Sequence, residues 1–128
     1  MPSAKRKFGD FGERIAEEYL TKKGYKVIEK NYQKPWGEID LVAKKDNSIV
    51  FFEVKTRDKK NVEHYSAESA INSDKIRKLQ KICETYLLER KYGINQLWQI
   101  DVIAIAIDKE KMESTVNHIE NAVWERLN

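Results

Sequence analysis

A chain of 128 residues, 41% hydrophobic and 35% charged, with three Trp and six Tyr, suits a globular domain with a well-solvated surface rather than a disordered chain. At this length folding removes roughly two thirds of the unfolded surface from water, so one domain over residues 1–128 is expected. A net charge of +3 and a pI near 8.9 permit a nucleic-acid partner without demanding one.

No apolar run approaches the ~18 residues of a membrane span, and no signal core follows the basic start, so the expectation is a cytoplasmic protein without membrane contact. The single cysteine, Cys83, cannot form an internal disulfide and falls on an apolar helix stripe, where it reads as buried and inert.

In chain order, Phe8, Phe11, Ile15 and Tyr19 recur at helical spacing, with Asp10 as N-cap and Gly24 as stop. This predicts a first helix over about residues 10–23. Tyr25 to Tyr32 reads as a strand, 33–37 as a turn and Glu38 to Lys44 as a second strand. After the turn Lys45-Asp46-Asn47-Ser48, the nearly continuous apolar run opening Ile49 to Thr56 predicts a central strand covered on both faces. Arg57 to Glu63 reads as a mobile polar loop, and Ser66 to Ile71 as one short helical turn. Ser73 or Asp74 caps a long basic helix with the stripe Ile76, Leu79, Cys83, Tyr86 and Leu87. Leu97 to Ile107 is the longest strand candidate, and Val116 to Val123 a short edge strand. The order predicts an α/β fold, a mixed central sheet flanked by helices, with the strands on either side of the long helix parallel.

The second and third strands carry charge inside apolar runs: Gly37-Glu38-Ile39-Asp40-Leu41-Val42-Ala43 and Phe51-Phe52-Glu53-Val54-Lys55. An ionised carboxylate in a strand core costs several kcal/mol unless paired or bound to a metal, so this pattern points to a site. Strand alternation puts Glu53 and Lys55 on one face, Phe52 and Val54 on the other, and Glu38 on the face of Asp40. If the strands are neighbours, Asp40, Glu53 and Lys55 converge.

The series Glu13, Asp40, Glu53, Lys55, arranged as helix, strand, strand, resembles the PD-(D/E)xK nuclease superfamily. The wider pattern Gly9-Asp10-Phe11-Gly12-Glu13-Arg14-Ile15-Ala16, Gly37 to Ala43, and Phe52-Glu53-Val54-Lys55-Thr56-Arg57 resembles the bacterial UPF0102 family, also called the YraN family. The likeness continues through Lys75, Leu79, Tyr86-Leu87 and Gln99-Ile100-Asp101-Val102, although the family pattern has Arg-Phe where this chain has Gln99-Ile100. The resemblance implies a restriction-endonuclease-like or Holliday-junction-resolvase-like core and nucleic-acid binding, with Glu13, Asp40, Glu53 and Lys55 as the catalytic set.

The residue types suit that chemistry independently of the family. Phosphodiester cleavage needs a nucleophilic water and stabilisation of charge on the transferring phosphoryl group. Asp40 and Glu53 offer hard oxygens for Mg²⁺ or Mn²⁺, and the Val54 backbone carbonyl a third. A base role for Lys55 requires a pKa well below about 10.4, and neighbouring carboxylates push it the other way, so electrostatic stabilisation and water positioning are favoured. Glu13 is open to two readings: a capping-box partner of Asp10, or a site residue on the flank of the helix stripe. Asp101, inside an apolar strand, is either a hydrogen-bonded structural acid or a support to the site. His64 and His118 read as surface residues that form no ordinary zinc site with one cysteine.

The sets Lys5-Arg6-Lys7, Arg57-Lys59-Lys60 and Lys75-Lys78 (with Arg77 and Lys81) are candidate phosphate contacts, although any one such set is more often just a solvated face. Trp36 and Tyr65, on loops, are candidates to stack on exposed bases. Three functions follow: a metal-dependent nuclease acting on branched, damaged or single-stranded DNA; a non-catalytic nucleic-acid-binding module; and a structural or assembly protein. Resolvase-type cleavage of two strands would favour a symmetric homodimer.

Overall fold

The computed structural model describes residues 4–60 and 73–122. Its elements are α1 (Ala4–Lys22), β1 (Lys26–Lys34), β2 (Gly37–Lys45), β3 (Ser48–Asp58), α2 (Ser73–Glu89), β4 (Leu97–Asp108) and β5 (Glu113–Ile119). The helical turn expected over 66–71, the far half of the 57–63 loop, His64 and Tyr65 lie outside the described residues.

The strands form one sheet in sequence order, β1-β2-β3-β4-β5. Neighbours joined by short connections pair antiparallel, whereas β3 and β4 pair parallel. A hairpin cannot join parallel strands, so the chain between them crosses over through α2. β3 is the middle strand, and its run Ile49-Val50-Phe51-Phe52 is buried throughout. Ile49 and Phe51 pack with Ile76, Leu79, Ile82, Cys83 and Tyr86 of α2, while Val50 and Phe52 pack with Ala16 and Leu20 of α1. The two helices therefore cover opposite faces of a mixed sheet, an α/β arrangement compatible with a restriction-endonuclease-like core. Cys83 is fully buried on the α2 side, and burial, with the Glu84 charge, pushes its thiol well above the usual value.

Several boundaries differ from the sequence expectation: β1 runs on through Gln33 and Lys34, expected in a turn, β2 starts at Gly37, and β5 starts at Glu113 rather than Val116. α1 starts at Ala4, so Asp10 lies inside the helix and caps nothing. Ala4-Lys5-Arg6-Lys7 are good helix formers, which carries the helix past the first acceptable cap. β3 runs on through Arg57 and Asp58 because β4 pairs with it as far as Asp58–Ile107. β5 ends at Ile119, short of the expected Val123. The stop of α1 is as expected: Gly24 has φ of 90°, and the Tyr25 N–H donates to Leu20 O at 3.0 Å. This is a Schellman closure, which glycine enters without steric cost.

Candidate functional site

The site grows from an interruption in the sheet. Pairing between β2 and β3 runs from Lys45–Ser48 to Leu41–Phe52 and stops there. Just beyond, the Val54 N–H donates to Asp40 Oδ2 at 2.7 Å, so a side chain receives an amide of the adjacent strand. Ile39 packs in the α2-side core and Leu41 in the α1-side core, although residues two apart on a regular strand share a face. Opposite this point on β1, Asn31 lies between the pairs Lys30–Leu41 and Tyr32–Ile39 and has φ of 53°. Asparagine tolerates that left-handed conformation, which kinks β1 alongside β2. Strict alternation is therefore broken between Ile39 and Leu41, and Glu38 and Asp40 nonetheless line the same cleft.

A cleft of about 400 Å³ opens at this break, lined by Glu13 of α1, Asn31 of β1, Glu38 and Asp40 of β2, and Lys55 and Arg57 of β3, among others. Close packing of α1 on β3 sets its wall: a Cβ on Gly12 would fall 1.8 Å from Thr56 Oγ1. Asp40 is partly buried, and its carboxyl is pushed up to about 7. Burial is the largest cause, followed by the charge of Glu53; the Val54 amide works in the opposite direction, and Glu13 and Glu38 add repulsion. Glu53, 7% exposed, meets Lys75 Nζ at 2.8 Å and Lys55 Nζ at 3.2 Å, both through Oε1. Burial disfavours the Lys55 ammonium, yet contact with Lys75 and the charge and hydrogen bond of Glu53 outweigh it and hold its pKa above the ordinary lysine value.

The structure thus brings Glu13, Asp40 and Lys55 to one cleft, with Glu53 tied to it through Lys55. Glu13 cannot complete a capping box, because both it and Asp10 sit inside α1. The basic residues disperse. Lys75 turns onto Glu53, Lys59 lies 3.9 Å from Asp108, Arg57 donates to Thr56 O at 3.2 Å, and Lys60 and Lys78 are exposed. Lys5, Arg6 and Lys7 occupy the start of α1. Trp36, in the β1–β2 turn, is 42% exposed, with Lys81 Nζ 5.3 Å from its ring centroid.

A second polar group lies on the α1 side of the sheet. Asp101 is fully buried; its Oδ1 accepts from Gln99 Nε2 and the Asn121 N–H, both at 2.8 Å, and its Oδ2 lies 2.7 Å from His118 Nε2. His118 Nδ1 is 3.1 Å from the Tyr19 hydroxyl. Ligand atoms of Asp101, His118 and Glu120 lie within 4.8 Å of one another, a group that could hold a metal ion. The expectation that His118 is a surface residue is corrected: its side chain is only 9% exposed. Its spacing of two from Val116 on an edge strand was the available signal, since Val116 packs against the α1-side core.

Residues 12–105 match the family model described as "Uncharacterised protein family UPF0102". The chain belongs to the UPF0102 family. It is 41% identical over 117 residues to a UPF0102 protein of Syntrophomonas wolfei, spanning 91% of this chain and 97% of that one. A UPF0102 protein of Caldanaerobacter subterraneus is 42% identical over 119 residues, 92% and 95% of the two chains. One of Thermodesulfovibrio yellowstonii is 42% identical over 123 residues, 94% and 99% of the two. The UPF0102 match includes Glu13, Asp40, Glu53, Lys55, Lys75 and Asp101, whereas His118 and Glu120 lie beyond it. Among the described residues, no helix of this UPF0102 protein is long and apolar enough to cross a membrane.

Proposed function

We propose that this UPF0102 protein is a cytoplasmic, metal-dependent nuclease that hydrolyses phosphodiester bonds in DNA, with branched, damaged or single-stranded structures as its targets. The observation that carries this reading is the cleft that brings Asp40, Glu13 and Lys55 together beside the Lys55–Glu53 ion pair; burial and the neighbouring acids push the Asp40 carboxyl up to about 7. A carboxyl in such surroundings keeps a proton near neutrality unless a cation replaces it.

The donor set fits a hard divalent ion, Mg²⁺ or Mn²⁺, held by the carboxylates of Asp40 and Glu53 with the Val54 carbonyl as a further oxygen. Held there, it would supply an activated water and offset charge on the phosphoryl group. Lys55, held as an ammonium, stabilises the transferring phosphate and orients the water; its raised pKa argues against a base role. Arg57 at the cleft edge, the exposed Lys60 and Lys78, and Lys5, Arg6, Lys7 and Lys59 extend a phosphate-binding surface. Cutting two strands of a branched DNA would pair two copies of the chain about a two-fold axis.

The test is cleavage of labelled duplex, single-stranded, flap and four-way-junction DNAs with Mg²⁺ or Mn²⁺, comparing wild type with Asp40→Asn and Glu53→Gln. Activity lost in both variants supports the nuclease. DNA binding without cleavage by the wild type indicates a binding module, and absence of both indicates a structural or assembly protein.

Convergence of Asp101, His118 and Glu120 favours a second location for a metal, and an imidazole ligand selects transition ions over Mg²⁺. Both oxygens of Asp101 and both ring nitrogens of His118 already have hydrogen-bond partners, so we read this group first as the anchor that ties β5 to β4 and α1.

A further inference from the structure

Two ammonium groups converge on one oxygen of a buried acid. Glu53 Oε1 lies 2.8 Å from Lys75 Nζ and 3.2 Å from Lys55 Nζ. The lysines arrive by different routes: Lys55 is on the same strand as Glu53, and Lys75 is in the first turn of α2. Positive charge is therefore unevenly placed. Glu53 has two cations, while Asp40 in the adjoining cleft is crowded by acids.

A divalent ion shared by Asp40 and Glu53 would bring further positive charge to a carboxylate that already holds two, and like charges at such range repel strongly away from bulk water. The two lysines have the same flexible stem and similar exposure, 26% for Lys55 and 30% for Lys75, and differ in place. Lys55 lines the cleft beside Asp40, where it serves the transferring phosphate, whereas Lys75 reaches Glu53 from α2, outside that lining, and is the cation that can be exchanged. The anion that would receive it at this position is a backbone phosphate.

Resting on the nuclease reading above, we propose that Lys75 is an exchangeable counter-ion: it neutralises Glu53 in the metal-free protein and passes to a phosphate of the bound strand when a divalent cation takes over Glu53. Metal and DNA binding are then linked, each tightening the other by the same factor.

The test measures DNA affinity by fluorescence anisotropy in chelator and in Ca²⁺, with strand integrity checked on gels, and Mn²⁺ affinity by electron paramagnetic resonance without DNA. Lys75→Met keeps the stem and removes the charge; thermal melts confirm that each variant folds. In the wild type Ca²⁺ should tighten DNA binding about tenfold, within the usual range for coupled sites, and in Lys75→Met about threefold or less. Metal-free DNA affinity of Lys75→Met should stay within about twofold of wild type, and its Mn²⁺ binding should tighten as a competing cation is removed. Glu53→Gln should release Lys75 and strengthen metal-free DNA binding, a gain erased by adding Lys75→Met.

Equal weakening of DNA binding by Lys75→Met with and without Ca²⁺ would make Lys75 an ordinary phosphate contact and overturn the exchange. If Mn²⁺ binds the wild type, is lost in Asp40→Asn and is unchanged in Lys75→Met, the exchange fails while the metal-site reading stands. A wild type that binds no Mn²⁺ overturns both.

Discussion

Asp40 and Val54 are joined across two strands by a 2.7 Å hydrogen bond in which a carboxylate receives an amide just past the last β2–β3 pair. That bond favours the ionised acid, yet burial and the charges of Glu53, Glu13 and Glu38 outweigh it. The end of β2–β3 pairing and the one hydrogen bond that opposes the upward shift of the cleft's central acid thus meet at a single carboxylate.

The Asp40 balance predicts how stability varies with pH. The carboxyl rises from 3.8 to about 7 on folding, so between those values the folded protein retains a proton that the unfolded chain has lost. Its contribution is full below the lower value and is lost as pH climbs through the higher one. Metal-free protein should melt at a lower temperature at about pH 8 than at about pH 5.5, and Asp40→Asn should flatten that difference. Thermal melts in chelator decide it; an identical pH slope in both proteins would refute the assignment.

Lys55 is expected to act on the transition state more than on binding. Lys55→Ala should lower turnover on the preferred DNA by about 10²-fold while weakening DNA affinity only a few-fold. Single-turnover rates and anisotropy separate the two quantities. An equal loss in both would reassign Lys55 to binding.

At Gly12 α1 lies close against β3, and an added Cβ would lie 1.8 Å from Thr56 Oγ1. Gly12→Ala should destabilise the protein by ~1–3 kcal/mol, despite alanine's better helix propensity, because the helix must lift from the strand. Glu13 would move with it. Denaturant titration gives the stability, and a stabilised variant would show that this packing is dispensable.

His118→Ala should leave Asp101 Oδ2, on a fully buried residue, without its imidazole partner, at a cost of ~3 kcal/mol. Calorimetry with and without Mn²⁺ or Zn²⁺ also tests the metal alternative. A metal-induced rise in melting temperature that survives Asp40→Asn and vanishes in His118→Ala would place an ion at Asp101, His118 and Glu120.

Much of the framework is legible in the sequence. The run Ile49-Val50-Phe51-Phe52 marks β3 as the doubly covered central strand, the stripe from Ile76 to Tyr86 marks the buried face of α2, and the intervening crossover forces β3 and β4 parallel. The acids at Asp40 and Glu53 stand out for the cost of charge in a strand. These signals are local, set by residues within one or two turns or pleats of each other. The start of α1 escaped because Asp10 satisfies the rule for a cap while better helix formers precede it.

By itself, then, the sequence determined the order of elements, the two buried faces of the sheet and the acids of the cleft, because periodicity and turn chemistry act between near neighbours. Only the tertiary structure decided that β2 and β3 stop pairing next to Asp40, that Lys75 turns inward onto Glu53, and that His118 closes on Asp101. Those outcomes depend on register and helix docking between segments far apart in the chain, where shifting a strand by one residue sends every side chain to the other face.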